Sequence, residues 1–536
     1  MRLKPSSSRT AVRLTACGAV AAIVLAGTGP SAAQPEPALT SSADHRCGSR
    51  GSWEHPNADR HNTRRVRGPI DSTNVADLEV AWTVPIKAPT DRWPGSYATN
   101  PIVVDGVMYS QDLDSNVYAI DVRTGREVWT VMMGSYTNGP NGVAVSGGRV
   151  FGATLTDVFA LDARTGRELW RRKITRNANE GIDMAPGVNN NTVYIATVPS
   201  LLHGGFGAGA VGVVWAIDAR TGATRWTWDT VPRDLWGHPE INSGGGAWYP
   251  PSFDERGDLY LAVSNPGPFL GTEEYPWGSS RPGPNLYTNS IVKLDGRTGR
   301  LIWYRQELPH DIYDWDLQNS PILTTVGGRR VVLTSGKTGF VYMYDRDSGK
   351  RLWKTPVGRH NGHDDDNLLA MAGRFDELPS FPAELYPGVL GGVPAPGAVD
   401  RDTVYVAVND LSATWTSQLP PPIFPSFSAG SGAVVALDLA TGRARWTFSL
   451  DQSPYGGTTI SNDLVFTTTF DGTIHAFNAK NGRLAWRVKL PGSTNSPVVI
   501  SGDILLSASG WPQSAEERAE IVAYRLPSKR GGKGCS

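Results

Sequence analysis

The chain has 536 residues, with 51 basic and 51 acidic side chains and a formal net charge of zero. Charged residues make up 19% of the chain, below the roughly 25% usual in soluble proteins, so a nucleic acid is not expected as the main partner. The 60 glycines, 39 prolines and 18 tryptophans indicate many tight turns around a large apolar core, which favours an all-β fold over a disordered chain or a helical bundle.

The first 33 residues have the pattern of a secretory signal peptide. A basic beginning is followed by an apolar stretch from Leu14 to Gly27 and by small residues at positions 31–33, which suit cleavage before Gln34. An uncleaved membrane anchor is the alternative, but the apolar run is shorter than the ~18 residues that a span requires. We therefore expect a secreted or extracytoplasmic protein whose mature chain has no transmembrane segment.

The two ends of the mature chain are expected to be irregular, residues 34–52 as a flexible N-terminal segment and residues 528–536 as a C-terminal tail. Each holds one of the cysteines that remain after cleavage, Cys47 and Cys535. An oxidising compartment permits a disulfide between them, and two free thiols are the alternative. The sequence has no Cys-x-x-Cys-His motif, so we expect no covalently attached c-type haem.

One pattern recurs along the chain: an apolar strand, Asp or Asn, two residues, Thr, Ser or Asn followed by Gly, three residues, and then Trp. In every copy the Trp lies eight positions after the Asp or Asn, as a hairpin of fixed length requires. The copies run from Val117 to Trp129, Val158 to Trp170, Val214 to Trp226, Ile291 to Trp303, Val341 to Trp353, Val434 to Trp446 and Ile474 to Trp486.

Each copy predicts one blade of a β-propeller, because a single four-stranded sheet cannot bury both of its faces alone. An eighth blade is expected from the two ends of the chain, where Leu78–Trp82 lacks its own hairpin and Ile521–Arg525 lacks a following Trp strand. Pairing these strands closes the ring and removes the exposed sheet edges. We therefore predict an all-β, eight-bladed propeller over residues 53–527, with the repeat tryptophans packed between blades.

Two intervals between successive repeat tryptophans are long, 77 residues from Trp226 to Trp303 and 93 residues from Trp353 to Trp446, against 40 or 41 in the compact blades. Long insertions in propellers usually lie on one face and bind partners or ligands. We therefore expect the functional residues in or near these insertions.

Three motifs suggest chemistry. The GxGxxG spacing from Gly207 to Gly212 precedes a strand where a dinucleotide site needs a helix, which argues against NAD binding. The segment from His360 to Asp366 suits a metal site or, as its composition favours, an acidic solvated loop. The segment from His310 to Asp316 has three carboxylates and two aromatic residues, and it is a candidate for catalysis.

Several segments outside the repeats occur in a fixed order and together carry a resemblance. They are Trp53 to Trp82, Gly244 to Asp254, Ser264 to Pro268, Arg281 to Asp295, Pro309 to Asp316 and Ser335 to Arg346. This series resembles the quinoprotein alcohol dehydrogenases, eight-bladed propellers that hold pyrroloquinoline quinone (PQQ) at the ring centre. Two later segments, Pro387 to Pro396 and Leu464 to Gly482, look closest to the branch that includes polyvinyl-alcohol dehydrogenases.

The resemblance implies roles for five residues. Trp248 matches the indole on which the quinone stacks, and Lys337 matches the basic residue that polarises the quinone carbonyls. Asp314 matches the carboxylate that takes the alcohol proton while hydride moves to the quinone C5 carbon. Asn265 and Asp314 would ligate a metal beside the quinone, with Asp316 as the extra acidic ligand of lanthanide-using relatives. The implied cofactors are PQQ and a Ca²⁺ or lanthanide ion.

The chain also departs from the family pattern. The acidic metal ligand of the family falls near Gly207, and the Glu and Arg that relatives place over the quinone fall near Ala98 and Asn141. We take as a hypothesis that Glu180 or Asp183 replaces the lost ligand.

The expected function is a PQQ-dependent dehydrogenase that oxidises an alcohol to a carbonyl and passes electrons to a separate acceptor. The alternative is a non-catalytic scaffold or binding propeller that has lost the cofactor, because a fold alone does not determine function. The joint presence of Asp314, Asn265 and Lys337 favours the enzyme, whereas the missing acidic ligand favours the scaffold.

Overall fold

The computed structural model describes residues 52–200, 207–417 and 426–527. The expected signal peptide, nearly all of segment 34–52, the tail 528–536 and both Cys47 and Cys535 lie outside the described residues, so the statements about them stay predictions. In the described ranges no helix combines the length and the apolar character needed to cross a bilayer.

The structure is built almost entirely of short strands. The first twenty are β1 (Arg65–Val66), β2 (Glu79–Pro85), β3 (Ile102–Val104), β4 (Val107–Gln111), β5 (Val117–Asp121), β6 (Glu127–Val131), β7 (Ala144–Ser146), β8 (Arg149–Ala153), β9 (Asp157–Asp162), β10 (Glu168–Lys173), β11 (Glu180–Gly181), β12 (Gly187–Asn189), β13 (Thr192–Ala196), β14 (Val198–Pro199), β15 (Val213–Asp218), β16 (Thr224–Asp229), β17 (Ser243–Gly244), β18 (Ser252–Phe253), β19 (Leu259–Val263) and β20 (Pro266–Gly267).

The remaining strands are β21 (Ser290–Leu294), β22 (Leu301–Gln306), β23 (Ile322–Val326), β24 (Arg329–Ser335), β25 (Phe340–Asp345), β26 (Arg351–Pro356), β27 (Ala383–Leu385), β28 (Ala398–Asp400), β29 (Thr403–Asn409), β30 (Ala413–Trp415), β31 (Gly432–Asp438), β32 (Ala444–Leu450), β33 (Thr459–Ser461), β34 (Leu464–Thr468), β35 (Thr473–Asn478), β36 (Leu484–Lys489), β37 (Val499–Ser501), β38 (Ile504–Ser509) and β39 (Glu520–Arg525). One α-helix, α1 (Asp366–Met371), and 3-10 turns at Val75–Asp77, Leu235–Gly237, Phe375–Glu377 and Phe427–Ala429 complete the described elements.

Eight antiparallel sheets form the eight blades that the repeat predicts. In ring order they are blade 1 (β3–β6), blade 2 (β7–β10), blade 3 (β12, β13, β15, β16), blade 4 (β18, β19, β21, β22), blade 5 (β23–β26), blade 6 (β28, β29, β31, β32), blade 7 (β33–β36) and blade 8 (β37–β39 with β2). The first strands of successive blades are in contact; for example, β3 contacts β7 and β33 contacts β37. These first strands therefore surround the centre of the ring.

The ring closes as predicted, by pairing strands from the two ends of the chain. Strand β2 lies antiparallel to β39, with Trp82 opposite Ala523. This pairing completes blade 8 and gives the last described strand a partner. The all-β, eight-bladed propeller is therefore confirmed.

The repeat tryptophans join neighbouring blades. The Nε1 of Trp82 donates to the Val122 carbonyl of blade 1 at 3.0 Å, and that of Trp170 donates to the Ala219 carbonyl of blade 3 at 3.1 Å. Five other repeat tryptophans make the same bond to the following blade: Trp129, Trp226, Trp303, Trp353 and Trp446. Each indole lies on the repeat glycine of that blade, which explains why the Gly and the Trp recur together.

Replacing a repeat glycine with alanine is expected to destabilise the ring more than the same change in an open turn. In Gly222→Ala the new Cβ would lie 2.9 Å from the Trp170 ring at a φ of +72°. Gly106→Ala is the matched control, because its φ is +76° and nothing lies within 4 Å. Left-handed backbone costs alanine about 1–2 kcal/mol in both variants, and overpacking adds about 1–3 kcal/mol in Gly222→Ala only. Equal urea midpoints for the two variants would contradict indole packing at this site.

The segment before blade 1 covers one end of the central channel. Carbonyls of Trp53, Arg60, His61 and Thr63 accept hydrogen bonds from the first strands of blades 1, 4, 5 and 6 at 2.9–3.0 Å. Strand β1 then lies parallel to β33 of blade 7, with Arg65 opposite Ile460. Since the segment touches strands around much of the ring, it closes the channel at this end.

The two long insertions pack against each other. Residues of the first, such as Leu270 and Trp277, share an apolar cluster with residues of the second, such as Leu385 and Trp415. The Trp277 ring stacks on Phe381 with centroids 5.4 Å apart. This cluster also contains Tyr313 and Trp315, so the insertions support the segment that contains Asp314.

Candidate active site

A cavity of about 580 Å³ occupies the centre of the ring. Its walls come from loops that precede the first strands of the blades, from the β24–β25 loop that contains Lys337, and from both long insertions. The lining residues include Ala98 and Asn100 of blade 1, Asn138 of blade 2, Trp248 and Tyr249 of blade 4, Asp314 and Lys337 of blade 5, Pro394 and Pro396 of blade 6, Tyr455 of blade 7 and Asn495 of blade 8. The insertions line the cavity through Phe269, Leu390 and Phe427, as the repeat intervals predict.

A buried ionic cluster lies on the blade 5 side. The Lys337 Nζ lies 3.0 Å from Asp314 Oδ2 and 2.7 Å from Asp316 Oδ2. Gly336 makes this approach possible, because a Cβ there would lie 2.0 Å from the Asp316 carbonyl oxygen. The ammonium group therefore bridges two carboxylates that are separated by one residue.

Asn265 links the two carboxylates from the neighbouring blade. Its Nδ2 donates to Asp314 Oδ1 at 3.0 Å, and its backbone N–H donates to Asp316 Oδ1 at 2.9 Å. The Oδ1 of Asn265 is buried and has no hydrogen-bond partner among the described residues. A buried carbonyl-type oxygen without a donor is costly, and a bound ligand or cation would satisfy it.

The segment 311–316 holds Asp314 in an unusual backbone conformation. The Asp311 carboxylate accepts the N–H groups of Tyr313 at 3.1 Å and Trp315 at 2.9 Å. Between them Asp314 has a φ of 62°, in the left-handed region that few residues other than Gly, Asn and Asp adopt readily. This turn directs the Asp314 side chain to the cavity, while Asp311 stays completely buried beneath it.

Burial and charge together set the protonation of the cluster. Burial raises the pKa of Asp314 well above its usual value; Lys337 opposes this rise, and Asp316 adds to it. For Lys337, burial acts to lower the pKa, but the two carboxylates outweigh burial and raise it. Burial also raises the pKa of Asp311 to about 6. The site thus holds a stable ammonium beside a carboxylate with increased proton affinity.

Aromatic side chains form the rest of the wall and the open end. Trp248 is 9% exposed, and its Nε1 is buried with no partner in the described part of the chain. Around the open end, the Trp93 and Trp511 rings meet edge to face with centroids 6.1 Å apart, and Phe427 lies 5.2 Å from Trp511. Trp93 is 47% exposed, so this end of the cavity faces solvent.

The structure brings the predicted residues to one site. Trp248, Asp314 and Lys337 line the same cavity. Asn265 and Asp316 lie behind its wall, where Asn265 donates to Asp314 and Asp316 contacts Lys337. Sequence reasoning missed Arg64, Asn100, Asn138, Tyr249 and Asn495, which also line the cavity. These five residues lie in the opening segment and in the loops that precede the first strands. Their location was the available signal in the sequence, because no motif marks the individual positions.

The hypothesis that Glu180 or Asp183 replaces the lost acidic ligand stays a prediction, and the structure gives both carboxylates protein partners. Glu180 accepts hydrogen bonds from the Arg176 N–H at 2.6 Å and from Asn177 Nδ2 at 3.3 Å. Asp183 accepts the Asn138 N–H at 3.0 Å, and burial raises its pKa to about 7. Neither carboxylate lines the cavity, although Asn138, the partner of Asp183, does.

The metal motif from His360 to Asp366 is explained by local pairing. His360 contacts Asp364 at 2.8 Å and the Gly339 carbonyl at 3.1 Å, and His363 contacts Asp366 at 2.9 Å. Within the described ranges no three His, Cys, Asp or Glu side chains form a metal-binding group. These histidines therefore stabilise the second insertion.

The donor set fits PQQ and a hard cation. An indole face and a volume of about 580 Å³ suit a flat polycyclic ligand, since ligand cavities typically measure about 300–1,000 Å³. The unpartnered Asn265 Oδ1 and the carboxylates of Asp314 and Asp316 are oxygen donors of the kind that Ca²⁺ and lanthanides prefer.

A family model described as "Glucose/ethanol/alcohol dehydrogenase, beta-propeller domain" of the PQQ type matches residues 53–151 and 185–359, which include all five predicted site residues. This chain belongs to the PQQ-dependent alcohol dehydrogenase family. A second model, for the outer membrane protein assembly factor BamB, matches residues 113–243 and 430–524, which are dominated by the repeats. Assignment to the polyvinyl-alcohol branch stays a prediction.

Known members of the family are similar over most of the chain. The quinohemoprotein alcohol dehydrogenase of Comamonas testosteroni is 29% identical over 502 residues, covering 81% of this chain and 68% of the relative. The quinoprotein ethanol dehydrogenase of Pseudomonas putida is 26% identical over 526 residues, covering 84% of this chain and 81% of the relative.

Solved structures agree on the fold. The quinohemoprotein alcohol dehydrogenase ADHIIG of Pseudomonas putida HK5 superposes with a TM-score of 0.76 at 24% identity, covering 90% of this chain and 82% of that one. A europium-containing methanol dehydrogenase gives a TM-score of 0.72 at 21% identity, and the match covers 89% of this chain and 98% of that one.

Proposed function

We propose that this family member oxidises an alcohol to a carbonyl compound with PQQ as its oxidant and passes the electrons to a separate acceptor. The observation that carries the proposal is the convergence of Trp248, Asp314 and Lys337 on one central cavity, with Asn265 bonded behind them. A scaffold propeller has no need of a buried ionic cluster, which is expensive to maintain without a function.

Trp248 and Lys337 would hold the cofactor. The indole offers a flat apolar face, and the ammonium group would donate to the quinone oxygens while it stays paired with Asp314 and Asp316. PQQ, when bound, supplies the electron-poor carbon that accepts a hydride. The chain then has to place the alcohol, exclude water and remove one proton.

Asp314 is the proposed general base. Its carboxylate lines the cavity at the end of the left-handed turn, and burial raises its pKa, so it accepts a hydroxyl proton more readily than an exposed Asp. Asn265 and Lys337 each hold one of its oxygens, which fixes the direction of the carboxylate. A base in this position contributes about 10²- to 10⁴-fold to the rate.

Asn265, Asp314 and Asp316 would ligate the metal, as Ca²⁺ or a lanthanide. The europium-containing methanol dehydrogenase of similar fold supports a lanthanide among the candidates. Asp316 Oδ2 contacts the Lys337 ammonium at 2.7 Å, so a cation competes with Lys337 for this oxygen. We therefore expect this site to bind the metal ion less tightly than a site that has a third carboxylate ligand.

The open end of the cavity favours alcohols with an apolar body. Among the described residues the charged groups that line the cavity are Arg64, Asp314 and Lys337, whereas the open end is surrounded by Trp93, Phe427 and Trp511. A strongly hydrated polyol would lose water on entering this region without gaining hydrogen-bond partners.

The test is reconstitution of the purified protein with PQQ in the presence of Ca²⁺, La³⁺ or a chelator, followed by reduction of an artificial dye. We expect dye reduction with butan-1-ol and benzyl alcohol, a lower kcat/KM with glycerol, and loss of activity in the chelator. Failure to bind PQQ under every metal condition would refute the dehydrogenase. Equal activity with the chelator would refute the metal, and a preference for glycerol would refute the apolar substrate class.

A further inference from the structure

Arg64 is a fully buried guanidinium group that lines the cavity. It belongs to the opening segment that closes one end of the channel. Its hydrogen bonds go to the Thr458 carbonyl at 2.6 Å, Asn57 Oδ1 at 2.7 Å, Asn100 Oδ1 at 2.9 Å and Thr459 Oγ1 at 2.9 Å. All of these acceptors are neutral, so the bonds orient the guanidinium without cancelling its charge.

Two other arginines of the described chain are buried. Arg346 pairs with Glu255 at 2.8 Å. Arg281, like Arg64, bonds to neutral oxygens, but the negative charge of Asp311 acts on it and it does not line the cavity. No carboxylate in the described ranges lies within ion-pair distance of Arg64. Burial accordingly lowers the pKa of Arg64 to about 9, with only the Tyr249 hydroxyl acting in the opposite direction.

The two cations that line the cavity are therefore unequal. Lys337 pairs with the carboxylates of Asp314 and Asp316, whereas Arg64 has no carboxylate partner and lies over the Trp53 ring, 5.2 Å from its centroid. A buried charge without a partner is strongly unfavourable, and an anion brought in by a ligand would remove much of this cost. The closed end of the cavity is consequently prepared for a negatively charged group.

Asn100 extends this positive end into the cavity. It lines the cavity and is only partly buried, and its Oδ1 accepts from Arg64. This bond orients the carboxamide so that the Nδ2 donor is the atom left for a ligand. Four of the five guanidinium N–H donors have protein acceptors, so one Nη2–H of Arg64 and the Asn100 amide are the donors left for a carboxylate.

We propose that Arg64 and Asn100 form an anion subsite at the closed end of the cavity, and that this subsite receives a carboxylate group of PQQ. The inference rests on the proposed function, because PQQ is the carboxylated quinone in question. The subsite would also supply cofactor contacts that this chain otherwise lacks. The Glu and Arg that the resembling family places over the quinone fall near Ala98 and Asn141 here.

The experiment measures the affinity of the full chain for PQQ and for its trimethyl ester by titration calorimetry at low and high salt. Arg64→Gln is expected to weaken PQQ binding by about 10- to 100-fold, to leave ester binding unchanged and to reduce the salt dependence. Arg65→Gln is the matched control, because it removes the same charge from the next residue, which pairs with Asp400. Its affinity for PQQ should equal that of the native protein.

Two further variants protect the test against misfolding of Arg64→Gln. Arg64→Lys keeps the charge and should retain PQQ affinity within several-fold, and Asn100→Ala should weaken PQQ but not the ester. Equal losses for PQQ and its ester, or no loss in any variant, would overturn the anion subsite while leaving the dehydrogenase in place. Failure of the native protein to bind PQQ would overturn both proposals.

Discussion

Asp314→Asn is expected to abolish alcohol oxidation while leaving the fold and cofactor binding intact. The amide cannot accept the alcohol proton, so kcat should fall by at least about 10²- to 10⁴-fold. Asparagine tolerates left-handed backbone as well as aspartate does, so the φ of 62° at this position can be kept. A lower kcat in Asp314→Asn would therefore reflect the loss of the proton acceptor and not a change in the backbone.

The Asp314→Asn measurement combines kcat in the dye assay with PQQ affinity and the thermal midpoint. Lys337 keeps its contact with Asp316, so we expect PQQ affinity to change by less than about tenfold. Asp410→Asn is the control, because Asp410 is a partly buried carboxylate that lies outside the cavity and accepts the Arg359 N–H. An Asp314→Asn protein that keeps more than about a tenth of the native kcat would assign the base to another group.

Trp248→Ala is expected to weaken PQQ binding by about 10- to 100-fold. The change removes an aromatic face from the cavity wall, and stacking of this kind contributes about 1–3 kcal/mol. Trp248→Phe should restore most of the affinity, since it keeps a flat apolar surface. The indole Nε1 has no partner in the described residues, so the variant leaves no protein donor or acceptor unpaired.

Trp228→Ala is the control for the Trp248 variants. Trp228 packs on Tyr287 with centroids 5.6 Å apart and does not line the cavity. Titration calorimetry with PQQ should give the native affinity for Trp228→Ala and a reduced affinity for Trp248→Ala. Native affinity in Trp248→Ala would place the quinone against a different part of the wall, where Tyr249 and Tyr455 are among the other aromatic residues.

The fold was predictable because its determinants are local and repeated. Asp121 accepts the N–H groups of Arg123 and Thr124, and Gly125 adopts a φ of 72°, so a few neighbouring residues specify each hairpin. The Trp that follows each turn then packs on the glycine of the next blade. Repetition of one short unit therefore determines the number of blades and the closure of the ring.

The candidate site was predictable only in part. The roles of Trp248, Asn265, Asp314 and Lys337 came from the resemblance, and the structure places these residues together. The replacement of the lost ligand by Glu180 or Asp183 stays a prediction, and the structure adds that backbone N–H groups of nearby loops hold both carboxylates. Spacing along the chain does not show which groups a loop has already satisfied.

The sequence by itself determined the all-β class, the eight blades and the ring closure, and its resemblance to a family pointed to Asp314, Asp316 and Lys337. Only the tertiary structure decided that Lys337 bridges Asp314 and Asp316, and that Arg64 enters the same cavity uncompensated by a carboxylate. The reason is distance along the chain: Arg64 is held by Thr458 and Thr459, 394 and 395 residues away. Such contacts exist only after eight blades have closed around one axis, and no local pattern encodes them.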